Sequence, residues 1–120
     1  MKPIIRKSSF GSIQIDEKKY EHDVVITLDG SIKKRKKKLS KEVFGTSHII
    51  SLAEAEDIYE PGSELLIIGG GVNNMVKLSS EAAQYFENHK LKTIIEATPQ
   101  AAQRWNDAGG KVTALFHITC

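Results

Sequence analysis

With 120 residues the chain has the size of one domain, 1–120, and enough material for a real core. A near balance of 17 Lys/Arg against 15 Asp/Glu and a 40% apolar content belong to an ordinary globular protein, and no apolar run approaches the roughly 18 residues of a membrane span. The one cysteine, Cys120, excludes an internal disulfide and a cysteine-rich metal site. The segment from Met1 to Lys7 lacks the apolar core of a signal peptide, so a cytoplasmic location is expected.

In chain order, Phe10 to Lys38 reads as an antiparallel meander. Ile13 and Ile15 alternate with polar residues, Asp16-Glu17-Lys18 supplies a turn, and a strand over Tyr20 to Leu28 has Val24-Val25-Ile26 at its centre. Asp29-Gly30 is the dipeptide that best tolerates the positive φ angles of a tight hairpin, and Ile32 opens a returning strand. Gly45-Thr46-Ser47-His48 precedes the first predicted helix. Ser51 and Glu54 have the spacing of a capping box, and Pro61-Gly62 ends that helix. Leu65-Leu66-Ile67-Ile68, bounded by Pro61-Gly62 and Gly69-Gly70-Gly71, reads as a strand buried on both faces. Ser79 or Ser80 starts a second helix that ends near His89, and Lys92 to Ala97 forms a short β-branched strand. Thr98-Pro99 starts a third helix, with Thr98 as its cap; Gly109-Gly110 closes it, and Lys111 to Thr119 is the last strand.

From Glu64 onward the order is therefore βαβαβ, which implies parallel strands with right-handed crossovers. The expected class is α/β: a three-layer β+α/β/α arrangement, in which an N-terminal antiparallel meander precedes a mixed, largely parallel central sheet.

Charge is unevenly placed. Residues 1–50 carry 12 Lys/Arg and 6 Asp/Glu, a balance of +6, whereas residues 51–120 carry 5 and 9, a balance of −4. Most of the excess lies in Lys33-Lys34-Arg35-Lys36-Lys37-Lys38. A lysine-rich strand protects a sheet edge from pairing, and the same run is also a candidate surface for nucleic acid or another anion. No aromatic residue interrupts it, so a base-stacking platform has little support.

Ligands of parallel sheets sit at the carboxyl ends of strands, which directs attention to the glycine loop. Gly69-x-Gly71-x-x-Asn74 approaches the dinucleotide fingerprint, but Asn74 replaces its third glycine and the next helix begins too far downstream to hold a phosphate. No cofactor is expected. A weaker prediction is an anion pocket in which Gly69, Gly70, Gly71, Thr98, His117 and Cys120 converge, with Thr46, Ser47 and His48 on its rim. Alternation puts His117 and Thr119 on one face of the last strand. A Cys120–His117 nucleophile pair is conceivable there, but His117-x-x-Cys120 offers too few ligands for a zinc site, and the residues yield no coherent catalytic set.

Phe10-Gly11-Ser12-Ile13, Asp23-Val24-Val25-Ile26, Gly45-Thr46-Ser47-His48, Leu65 to Gly71, Thr98-Pro99-x-Ala101 and above all Phe116-His117-Ile118-Thr119-Cys120 resemble, over nearly the whole chain, a family of small domains of unknown function. That family includes the third assembly factor of mitochondrial NADH dehydrogenase (complex I) and a human adipogenesis-associated protein; the Gly-Thr-Ser-His segment and the basic run look most like its archaeal or bacterial members. The resemblance implies the same three-layer fold and no established enzymatic activity. The resulting expectation is an interaction or assembly module with an unknown protein partner; the alternative is a small-molecule or anion-binding protein using the glycine loop.

Overall fold

The structure is a computed structural model and describes residues 2–120. Strands β1 (Ile5–Ser9), β2 (Ser12–Ile15) and β3 (Lys18–Tyr20) form a separate antiparallel sheet in that order. Gly11, at φ +88°, makes the first turn, and Asp16 makes the second at φ +51°. Ile13 and Ile15 point into the core from this sheet while Gln14 between them does not.

The chain then crosses to the main sheet. Strand β4 (Val24–Ile26) and β5 (Ile32–Lys34) form a hairpin whose turn matches the Asp-Gly expectation. Gly30 takes φ +86°, and the Asp29 carboxylate accepts from the Thr27 hydroxyl at 2.6 Å and the Ser31 N–H at 2.9 Å. These two contacts hold the exposed Asp29 carboxyl down at about 2.

Next come helix α1 (Lys38–Phe44), strand β6 (Ile49–Ile50), helix α2 (Leu52–Ile58), strands β7 (Leu65–Gly70) and β8 (Lys77–Leu78), and helix α3 (Ser80–Asn88). Strand β9 (Lys92–Glu96), helix α4 (Thr98–Asp107) and strand β10 (Val112–His117) complete the order. The main sheet runs β5-β4-β10-β7-β9. Strand β10 is parallel to β7, β7 is parallel to β9, and β4 and β5 join antiparallel, which gives the mixed sheet expected. A two-residue parallel pairing of β6 with β8 lies apart from it.

Both faces of the main sheet are covered. Ile67, Ala114 and Phe116 pack with Trp105 and Ala101 of α4 and with Ile13 and Ile15 of the small sheet. Leu66, Ile68 and Leu115 pack on the opposite face with Ile58 of α2 and Phe86 of α3. Alternation along two central strands thus feeds two cores. It explains why β7 reads as continuously aliphatic and β10 is buried at every position.

Four sequence expectations need correction. The meander is two units, because β3 ends at Tyr20 and β4 starts at Val24, in different sheets. Strand β1 and helix α1 lie where the sequence pattern points to neither. Helix α1 begins inside the basic run, and Gly45, in a left-handed conformation at φ +70°, ends it by donating to the Lys41 carbonyl. Finally, Thr98 does not cap α4. Ala97 is the N-cap, and the Thr98 hydroxyl lies within the fold, donating to the His117 carbonyl at 2.6 Å and accepting from the Gly71 N–H at 2.9 Å.

Candidate functional site

The residues predicted around the glycine loop do meet, as packed structure. A Cβ on Gly71 would lie 2.2 Å from the Cys120 carbonyl carbon and 2.8 Å from His117 Cδ2. One on Gly69 would lie 2.7 Å from Phe116 and 2.9 Å from the Thr98 hydroxyl; one on Gly70 would strike the Asn74 side chain at 2.1 Å. Glycine is required here by close approach, and that approach leaves no room for a ligand against the three residues. The loop's N–H groups are also occupied. Gly71 donates to Thr98, Val72 to the Thr119 carbonyl at 2.7 Å, Asn73 to the Cys120 carbonyl at 3.2 Å and Val76 to the Gly70 carbonyl at 3.2 Å. An anion nest needs such groups free, so the glycine loop is a docking seat for residues 119–120 of its own chain.

The His117 ring, its Cδ2 edge against Gly71, turns its nitrogens to a buried polar cluster. Its Nδ1 lies 2.7 Å from Asp23 Oδ2, and because a carboxylate only accepts, Nδ1 carries the proton. The second ring nitrogen, Nε2, lies 3.1 Å from the Thr119 hydroxyl, as their shared strand face predicts. His48 packs edge-on against the His117 ring with centroids 5.4 Å apart. The other Asp23 oxygen accepts from the Ile118 N–H at 3.0 Å.

Arg35 joins this cluster from within the basic run. It is only 3% exposed. Its guanidinium donates to Asp23 Oδ2 at 3.0 Å, to both oxygens of Glu54 at 2.6 and 3.0 Å, and to the Ser47 carbonyl at 2.7 Å. Ser40 of α1 donates to Glu54 and accepts from the Ser51 N–H. The capping box predicted at the start of α2 is therefore half formed. Ser51 caps the Glu54 N–H at 3.1 Å, but Glu54 turns its carboxylate away to Arg35, and Ser40 takes the N–H that Glu54 would have held. Thr46 accepts from the His48 N–H and shapes the same loop.

The electrostatics follow from these contacts. Burial works to raise the Asp23 carboxyl, but the hydrogen bond from His117, the Ile118 N–H and the Lys37 ammonium at 3.8 Å outweigh it and hold the group at about 2. Burial likewise opposes the charge on Arg35, and Glu54 and Asp23 overcome it, so the guanidinium's pKa is raised.

Above Asp23 and Arg35 opens a cavity of about 560 Å³. Lys34, Lys36, Lys37, Lys38 and Lys41 line it together with Gly11, His22, Ile118 and Thr119, and Glu21 adds one carboxylate beside Asp23. Two lysines are engaged, Lys37 with Asp23 and Lys36 with Asp57 at 3.3 Å. Among the described residues, Lys34, Lys38 and Lys41 have no carboxylate within 4.0 Å and leave the cavity positively charged. Lys34 to Lys38 of the basic run thus border a concave site, with Arg35 buried and unavailable to an external phosphate.

A family model described as "Protein of unknown function (DUF498/DUF598)" matches residues 5–117. The chain belongs to this family. A conserved hypothetical protein, PH1505 from Pyrococcus horikoshii OT3, is 31% identical; the match covers 97% of this chain and 98% of that one, with a TM-score of 0.90. The protein MT938 is 30% identical, with 98% and 99% covered and a TM-score of 0.83. A Mth938-like domain from Bordetella pertussis is 13% identical over 97% and 85%, with a TM-score of 0.65, and shares the fold. In this DUF498 chain no helix among the described residues is long and apolar enough to cross a membrane.

Proposed function

We propose that this DUF498 chain binds a small organic anion, a carboxylate or phosphate compound, in the lysine-lined cavity above Asp23 and Arg35. The observation that carries this reading is the surplus of unpaired ammonium groups around a concave space of about 560 Å³, a size suited to a metabolite. Convex surface lysines are screened over roughly 8 Å at physiological salt; several converging on one concavity act together on a bound charge. The sequence-level alternative of anion binding is retained, but its location moves from the glycine loop to the β5–α1 segment.

Calorimetric titration with inorganic phosphate, pyrophosphate and citrate tests the proposal. At least one binds, more weakly as NaCl rises, and the triple variant Lys34→Gln, Lys38→Gln, Lys41→Gln loses about tenfold or more in affinity. An anion at ten times its Kd raises stability by about 1.4 kcal/mol, visible as a thermal shift. No binding by any of the three, or equal binding by the triple variant, refutes it.

A second reading, the interaction module expected from the family resemblance, has its own support. Phe10, next to Gly11 in the chain, is 68% exposed, and Val43, two residues after Lys41, is 61% exposed, so exposed apolar side chains neighbour cavity residues in sequence. An acidic protein segment with apolar anchors would complement the lysines and these two side chains. Weaker pull-down of the same partner by Phe10→Ser and Val43→Ser supports it; unchanged pull-down rejects it.

A further inference from the structure

We infer that the anion-binding cavity is also an acyl-transfer site, with Thr119 as nucleophile, His117 as general base and Asp23 as the residue that positions the base. The inference rests on the anion-binding reading and adds a reaction class to it.

Three groups and the distances between them carry the argument. Thr119 Oγ1 lies 3.1 Å from His117 Nε2, and His117 Nδ1 lies 2.7 Å from Asp23 Oδ2. A hydroxyl, an imidazole and a carboxylate in this order form the arrangement that activates alcohol nucleophiles on unrelated folds, where geometry and roles define it. The proton on Nδ1 is held by a carboxylate that stays ionised, which leaves the Nε2 lone pair free to take the hydroxyl proton. Asp23 is fixed in turn from both oxygens, by the Ile118 N–H at 3.0 Å and by Arg35 at 3.0 Å.

Access completes the case. His117 is 1% exposed and fully enclosed, whereas Thr119 is half-buried and lines the lysine cavity. The base is shielded from solvent, and the residue that bears the nucleophile borders the space where a ligand would sit. Docking of the Thr119 carbonyl on the Val72 N–H at 2.7 Å fixes this residue although it lies beyond the last strand. Cys120, its neighbour, has its carbonyl against Gly71, and Thr119 holds the contact with His117.

The chemistry balances without a further reagent. Thr119 Oγ1 attacks the carbonyl carbon of an ester, and its proton passes to His117 Nε2. The tetrahedral oxyanion develops among ammonium groups, the bond to the leaving alcohol breaks, and that alcohol departs with the proton from His117. Water then attacks the acyl carbon, His117 takes one of its protons, and Thr119 recovers that proton as the free acid leaves. The lysines select esters whose acyl part carries a free carboxylate.

The monosuccinate ester of p-nitrophenol is the anionic probe and p-nitrophenyl acetate the neutral one. The wild-type chain releases p-nitrophenolate from the succinate at least tenfold faster, and peptide mass spectrometry finds the succinyl group on Thr119. Thr119→Ser keeps the activity, while Thr119→Ala and His117→Gln lose a hundredfold or more. Asp23→Asn, assayed once circular dichroism shows it folded, lowers kcat with KM unchanged. Acylation of Cys120 or a lysine instead, or hydrolysis unaffected by Thr119→Ala, overturns the inference. Absent acylation alongside anion binding that still depends on Lys34, Lys38 and Lys41 overturns acyl transfer alone; loss of binding as well overturns both readings.

Discussion

Asp23→Asn is the sharpest probe of the buried cluster, because the exchange preserves shape and removes only charge and acceptor capacity. In the native fold one carboxylate oxygen accepts from His117 and Arg35 and the other from the Ile118 N–H. An amide has one oxygen for these two sites. Either its NH₂ group faces the N–H groups of His117 and Arg35, or the Ile118 N–H loses its acceptor. Removing one partner of a buried ion pair costs about 3–5 kcal/mol, since Arg35 keeps its charge while losing one of its two carboxylates. Part of that cost depends on pH. The Asp23 pKa is 3.8 when unperturbed and about 2 in the fold. At 1.36 kcal/mol per pKa unit the difference corresponds to about 2 kcal/mol. The folded value is the depressed one, so this stability is fully present above about pH 4 and is lost as pH falls toward 2. Urea unfolding at pH 6 and again near pH 2 reads both quantities. The gap between wild type and variant narrows by about 2 kcal/mol at the acid end. A gap that stays constant, or a variant within about 1 kcal/mol of wild type at pH 6, would show that Asp23 does not carry its charge within the cluster.

Other substitutions test other parts of the arrangement. Thr98→Val, nearly isosteric and fully buried, strips partners from the Gly71 N–H and the His117 carbonyl and lowers unfolding free energy by about 2–3 kcal/mol in urea. Gly71→Ala combines a φ of +97° with a clash against Cys120. It costs about 2 kcal/mol or more and unseats residues 119–120, seen as loss of hydrogen-exchange protection at Val72. Arg35→Lys keeps the charge but loses the two-pronged contact with Glu54, and a drop of about 2–4 kcal/mol by chemical denaturation is expected; an unchanged midpoint contradicts the role given to the guanidinium plane.

The parts of the fold that are legible in the sequence are those written in neighbouring residues. Four aliphatics between Pro61-Gly62 and three glycines specify β7, Asp29-Gly30 specifies the turn from β4 to β5, and Ser79 specifies the start of α3, where its hydroxyl accepts from Ala82. Alternation is also enough to pair His117 with Thr119. What escapes depends on partners far apart in sequence. Arg35 looks like one cation among six, and nothing beside it marks it as the buried one. Its carboxylates are 12 and 19 residues away, and its role appears only once β5 and α2 are packed. Asp23 reads as a residue before a strand, yet it spans 94 positions to reach His117. Glu54 has the spacing of a capping residue, and its backbone N–H is capped; where the side chain goes is decided by Ser40 and Arg35. The glycine loop misleads for a related reason. Glycines that admit a ligand and glycines that admit the chain's own carbonyl look identical in one dimension.

The strand order β5-β4-β10-β7-β9 has a consequence in time. The strand at the centre of the sheet follows the other four in the chain and emerges after them during synthesis. Until Val112–His117 is present, the β4–β5 hairpin and the β7–β9 pair have no ladder to join them, and each shows a bare inner edge. Nucleation before β10 would have to rest on β1–β3, on the separate β4–β5 and β7–β9 pairs and on helix contacts, while the pairing of β10 with β7 spans a separation of 47 positions (112 − 65) from Leu65 to Val112. The same late event brings His117 to Asp23 and Thr119 to the cavity wall. A nascent or shortened chain therefore has the lysines without the histidine, and the chemistry arrives only with the finished sheet.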